Sequence, residues 1–257
     1  MDTDVFERGW KLLDSMAPGQ PAALNEALAG LAPDVAQYVI AFGYGEVLSR
    51  PGLDLKSRQT ATVAALASMG TAPEQLGFHI GAALNVGVTP REIVEVLSLV
   101  AVFAGFPAAL NALGAARKVF DGRGITLEPV KAYPEGQDRR ERGLAALEST
   151  SRGAGRAVLE SLADIAPDMA GFILDFSYGD VIARDILTPK AKEIVMIASA
   201  TARGTMRPQL KVHVAAGLQV GLTREEIVEI LIQMAVYAGF PAALNGLFAA
   251  REVFEER

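Results

Sequence analysis

The chain is one unit written twice. Residue n and residue n+134 align without a gap from Arg8/Arg142 to Phe120/Phe254, and about 52 of roughly 113 aligned positions are identical. The strongest stretch is AVFAGFPAALNALGAARKVF (101–120) against AVYAGFPAALNGLFAAREVF (235–254). The next is HIGAALNVGVTPREIVEVL (79–97) against HVAAGLQVGLTREEIVEIL (213–231). A duplicated chain must fold as two copies of whatever one copy encodes. The reading is a first unit over 1–120, a linker over 121–137 and a second unit over 138–257. The linker, DGRGITLEPVKAYPEGQ, holds three glycines and two prolines and shows no apolar periodicity.

Each unit reads as helices with recognisable ends. Thr89-x-x-Glu92 and Thr223-x-x-Glu226 are capping boxes that open apolar helices, with Pro90 at the first helical position of the first. Gly87 and Gly221 stand where a preceding helix ends. Asp54 and Thr188 start another helix pair, and Pro33 and Pro167 begin the helices leading to Tyr44 and Tyr178. Gly105-Phe-Pro and Gly239-Phe-Pro break one helix and restart the next. No segment alternates with period two and β-branched enrichment, so the fold class is all-α.

Composition narrows the chemistry. Apolar residues make up 51% of the chain, enough for a full core. A net charge of −6 without a basic cluster argues against nucleic acid as a partner. There is no cysteine, which removes disulfides, thiolate metal sites and thiol nucleophiles. The start, MDTDVFERGW, lacks the pattern of a signal peptide, and the most apolar stretch (96–110) is shorter than a membrane span. A cytoplasmic protein without membrane contact is expected.

The chain has two histidines, His79 and His213, at the same position of the two copies. Each is either a core histidine or the group that passes a proton near neutral pH. Gln75 and Gln209 lie one helical turn earlier, as ring-orienting, ligand-contacting or plain surface residues. One histidine per unit is too few ligands for zinc, so no metal is expected. A second constellation, Tyr44-Gly-Glu46-x3-Arg50, repeats as Tyr178-Gly-Asp180-x3-Arg184, with Arg58 and Lys192 nearby. Its acid and arginine form either a surface pair or a cation held in a cleft for an anionic small molecule. The position after Arg58/Lys192 is Gln59 in the first copy and Glu193 in the second, so only the second offers a carboxylate as general base.

YGEVLSRPGLDLKSR (44–58), His79-x5-Asn85-x-Gly87, TPREIVEVL (89–97) and the AGFPAALN blocks together resemble the carboxymuconolactone decarboxylase family. The resemblance covers nearly the whole chain outside the linker and the first residues. It implies an all-helical fold of the alkylhydroperoxidase-D type, here as a tandem duplication of one helical unit. It also implies assembly of small subunits, so that three tandem chains would form a ring of six units, with a dimer of chains as the alternative. The peroxidase branch carries Cys-x-x-Cys before the histidine; this chain reads TAPEQ (71–75) and TMRPQ (205–209) there.

The implied activity is cofactor-free decarboxylation of a carboxylated γ-lactone or a related oxo-acid. Loss of CO2 pushes electrons toward the lactone carbonyl, and an acid then returns a proton to carbon. The roles implied are His79 as acid, Arg50 and Arg58 as carboxylate anchors, Glu46 as their orienter and Tyr44 as a donor. Tyr178, Asp180, Arg184 and His213 stand at the equivalent positions of the second copy, Gln75 and Gln209 are further candidates to contact the substrate, and Glu193 is a candidate general base that the first copy lacks. The second copy reads RDILT (184–188) where the first reads RPGLD, so catalysis is expected to lean on His79. The opposing reading is a non-catalytic ligand-binding or assembly module on the same scaffold.

Overall fold

The computed structural model of the chain describes residues 2–130, 133 and 136–256, without the side chains of residues 152 and 154. Residues 131, 132, 134 and 135 of the expected linker lie outside the described residues. Helices build both units, and among the described residues there is no strand. The first unit runs α1 (Thr3–Met16), α2 (Gln20–Leu28), α3 (Pro33–Tyr38), a π-helical segment (Val39–Leu48), α4 (Leu55–Met69), α5 (Pro73–Asn85), α6 (Pro90–Ala104) and α7 (Phe106–Gly122). The second repeats it as α8 (Arg139–Thr150), α9 (Arg152–Glu160), α10 (Pro167–Phe172), a π-helical segment (Ile173–Ile182), α11 (Pro189–Arg203), α12 (Arg207–Gln219), α13 (Arg224–Tyr237) and α14 (Phe240–Glu255).

The ends follow from local chemistry. Asp54 and Thr188 cap α4 and α11 by accepting the N–H groups of Ser57 and Ala191 at 3.0 and 3.2 Å. Thr89 and Thr223 close complete capping boxes with Glu92 and Glu226. Gly105 and Gly239 adopt φ of +86°, which lets the chain turn sharply between paired helices.

The π-helical segments are held by their neighbours. Glycines allow α1 to lie directly on the first segment: a Cβ on Gly9 would sit 2.0 Å from the Ile40 carbonyl oxygen, and one on Gly45 2.3 Å from that of Val5. The Gly45 carbonyl accepts from Arg8 Nε at 2.8 Å, and the Gly179 carbonyl from Arg142 Nε at 3.1 Å. The first matched pair of the repeat therefore pins the wider turn in each copy. Such i→i+5 turns often mark functional segments, and these carry Tyr44 and Tyr178.

The two units share one core. Helices α4 and α11 pack against each other, with 58–68 and 193–201 buried on every face. Small residues such as Ala61, Ala64, Ala65, Ala198 and Ala200 permit this close approach. Buried side chains of both units form one large hydrophobic cluster, and Leu13, Met16, Ile40, Tyr44, Leu48 and Ala82 form a smaller one within the first unit.

Ion pairs at equivalent positions cross this junction. Arg50 Nε donates to Glu229 Oε1 at 2.8 Å, and reciprocally Arg184 Nε donates to Glu95 Oε2 at 2.6 Å. Arg58, 0% exposed, donates to Glu229 Oε2 and to the Arg50 carbonyl, both at 2.8 Å. Burial pushes the Glu229 carboxyl upward, but the hydrogen bonds from Arg50 and Arg58 outweigh this and hold it below the usual carboxylate range.

Removing the partner of a buried cation leaves an uncompensated charge, at about 3–5 kcal/mol. Glu229→Ala is therefore expected to destabilise the chain by that amount in urea unfolding. Glu95→Ala should cost less, because its partner Arg184 keeps 26% of its side chain exposed. Equal losses would contradict a special role for buried Arg58.

Candidate functional site

Each histidine sits in a chamber built from both halves. In the first, α5 supplies His79, α4 supplies Gln59, the π-helical segment supplies Tyr44, and α13 of the other half brings Tyr237. In the second, α12 supplies His213, α11 supplies Glu193, the π-helical segment supplies Tyr178, and α6 brings Phe103. Tyr237 meets the His79 ring edge-on at 5.1 Å between centroids, and Phe103 meets His213 at the same distance. Phe103 and Tyr237 were not singled out from the sequence. They are the one difference within AVFAGFPAALN/AVYAGFPAALN, and that contrast was the available signal.

The two chambers differ in electrostatics. His79 Nδ1 lies 2.9 Å from Gln59 Oε1, a neutral acceptor. Burial without a charged partner lowers its pKa to about 3, so His79 is a neutral imidazole at pH 7. His213 Nδ1 lies 3.0 Å from Glu193 Oε2, so it meets a carboxylate. An Nδ1–H donated to that carboxylate fixes the ring and leaves Nε2 to exchange a proton. Glu193 is 1% exposed, and its Oε1 has no hydrogen-bond partner among the described residues.

A cavity of about 260 Å³ opens beside His213, walled by Phe103, Val158, Ile173, Tyr178, Ile182 and Met206. The Tyr178 hydroxyl is 2.8 Å from Ser151 Oγ, and burial raises its pKa. Around His79, Phe78 and Tyr237 both meet the ring edge-on, and burial raises the pKa of Tyr44 and of Tyr237. A larger hollow of about 620 Å³ lies on the other side of Ile182, between α8 and α11, and His213 is not among its walls.

Several expected partners are placed otherwise. Arg50 and Arg58 are engaged by Glu229, and Arg184 by Glu95, so these guanidiniums tie the two halves together. Glu46 is exposed and does not orient Arg50, whose carboxylate partner comes from the second unit. Asp180 pairs with Arg139 and Arg142 of α8. Lys192 donates to the Ile182 carbonyl at 2.8 Å. Gln75 is exposed on the surface of α5, while Gln209, also exposed, borders the cavity beside His213. Among the described residues, no three His, Asp or Glu side chains gather where they could hold a metal ion.

The depressed pKa of His79 makes stability depend on pH with a definite sign. The unfolded histidine takes up a proton near pH 6.5 and the folded one only near 3. The stability contributed by neutral His79 is complete above about pH 6.5 and falls as pH drops toward 3. Between pH 7 and pH 5 the wild type should lose about 2 kcal/mol more than His79→Gln in urea unfolding. Parallel losses would show that His79 does not stay neutral.

Comparisons with known proteins agree with this architecture. The chain is 37% identical over 97 residues to 4-carboxymuconolactone decarboxylase of Acinetobacter baylyi, covering 38% of this chain and 72% of that protein. It is 33% identical over 85 residues to a nitrosuccinic acid decarboxylase of Metarhizium robertsii, covering 33% of this chain and 59% of that one. A crystal structure from Burkholderia xenovorans, solved under the name of a gamma-carboxymuconolactone decarboxylase subunit, superposes with a TM-score of 0.60 at 25% identity over 100% of both chains. The model of the Carboxymuconolactone decarboxylase family matches residues 33–118 and again residues 167–252. The matched spans start at Pro33 and Pro167, the equivalent helix starts of the two units, and the chain belongs to the carboxymuconolactone decarboxylase family as a tandem member.

Proposed function

We propose that the chain is a carboxy-lyase that releases CO2 from a small organic acid, a carboxylated γ-lactone or a related oxo-acid, and that the reaction runs in the second unit. The observation that carries this reading is the His213–Glu193 hydrogen bond on the wall of a cavity. Relatives named as decarboxylases support the reaction class.

The carbon–carbon bond to the carboxylate breaks, CO2 leaves, and the electron pair moves through the adjacent unsaturation onto the ring or ketone carbonyl oxygen. The resulting enolate carbon takes the proton from Nε2 of the His213 imidazolium, and Glu193 stabilises that cation through Nδ1–H. Solvent then restores the proton to His213. Enclosure favours the dispersed charge of the transition state over the compact carboxylate. Neutral His79 beside Gln59 has no carboxylate to hold an imidazolium, so the emphasis moves from the first copy to the second.

Assembly of chains is part of this reading. Large apolar side chains stand exposed at equivalent places in both units: Leu31/Ile165, Tyr38/Phe172 and Phe106/Phe240. Apolar surface repeated in this way marks an interaction face. Three chains are proposed to associate, and native mass spectrometry should show a species of three times 27.1 kDa. A monomer at micromolar concentration would contradict it.

With a decarboxylated substrate identified by CO2 release from a panel of carboxylated lactones and β-keto acids, His213→Ala and Glu193→Gln should each lower kcat by about 10²–10⁴. His79→Ala, checked for folding by circular dichroism, should lower it by less than about tenfold. A larger loss from His79→Ala would return the chemistry to the first unit.

A further inference from the structure

The cations expected to grip a substrate are committed elsewhere. Arg50 and Arg58 close on Glu229, Arg184 closes on Glu95, and Lys192 donates to a backbone carbonyl. The cavity beside His213 is walled mainly by apolar side chains, with Ser177, Tyr178, Gln209 and His213 as its polar members. Among the described residues, no lysine or arginine lines it.

A carboxylate moved from water into such surroundings without a cationic partner pays a large desolvation penalty. One carboxylate can be tolerated when it is the group about to leave, because its charge disperses as CO2 departs. A second, spectator carboxylate gains nothing from the reaction and keeps its full penalty. His213 offers no free cation to compensate it, since its Nδ1 is engaged by Glu193 at 3.0 Å. At about 260 Å³ the space also lies at or below the small end of ligand sites, which run from about 300 to 1,000 Å³.

We infer that the His213 cavity takes a compact, largely apolar substrate whose only carboxylate is the one it loses, in contrast to a dicarboxylated lactone. Phe103, contributed by the first unit, is then the side chain against which the apolar skeleton packs. This inference rests on the decarboxylase reading for the word substrate, but the selectivity of the cavity stands independently of turnover.

Two measurements on the full chain separate the two claims. Calorimetric titration compares an alkyl-substituted unsaturated γ-lactone with the same ring bearing one and then two carboxylates. The dissociation constant should weaken at least tenfold on adding the second carboxylate. Val158→Arg places a cation on the cavity wall at a residue 43% exposed, where a charge can be accommodated, and should recover most of that loss. Equal or tighter binding of the dicarboxylate by the wild type overturns the inference, whatever the activity.

The second measurement compares CO2 release from a β-keto acid with an alkyl tail and from the same acid with the tail ending in a second carboxylate. A kcat/KM at least tenfold higher for the alkyl acid supports the inference, and a preference for the diacid overturns it while leaving the decarboxylase reading in place. No enzyme-dependent CO2 release from any member of either series would overturn the decarboxylase reading, and the titration would still decide the selectivity of the cavity.

Discussion

The meeting of Arg58 and Arg50 with Glu229, deep between α4 and the second unit, is the interaction on which the rest of the structure depends. A guanidinium with no exposure is tolerable only if its donors are satisfied. Arg58 satisfies them with Glu229, two backbone carbonyls and Gln233, whose Oε1 is 3.3 Å from Nη1. Gln233 in turn donates to the Arg58 carbonyl and to Thr62 Oγ1, both at 2.8 Å. These bonds have strict geometry, so they set the register of the two units more sharply than alanine-rich packing of α4 on α11 could. The Arg184–Glu95 pair repeats the lock with roles exchanged.

Fixing that register makes each histidine chamber a joint product. The C-terminal turn of α6 carries Phe103 onto His213, and the same turn of α13 carries Tyr237 onto His79. From this common plan the chambers diverge by few substitutions. Glu193 for Gln59 turns a neutral acceptor into a carboxylate, and Phe103 in place of Tyr237 leaves a bare aromatic edge. One chamber holds a buried, neutral imidazole beside an amide; in the other the imidazole meets Glu193 beside a cavity. Duplication within one chain permits this divergence, because identical subunits would carry the same substitution in every copy.

Much of this was legible in the residues. The constant offset, the capping boxes, and the glycine and proline punctuation give the helices their order and ends, since those features act within a few residues. The π-helical winding was not legible, because it depends on α1 lying against Gly45 and α8 against Gly179. The family likeness pointed to both histidines, and the Gln59/Glu193 contrast marked a real difference between the units. The pairing of Arg50 and Arg58 with Glu229 was not legible, because nothing local to α4 reveals that Glu229 of the other unit approaches it.

By itself, then, the sequence determined an all-helical duplicated fold, the two histidines at matched positions, and the single carboxylate that distinguishes them. Those properties are written in short-range patterns and in the repeat. Which cations are free, which histidine borders a cavity, and which aromatic ring covers it were decided only by the tertiary structure. Charge pairing and burial act between residues up to 179 positions apart, and the packing of one unit on the other alone brings such residues within hydrogen-bonding reach.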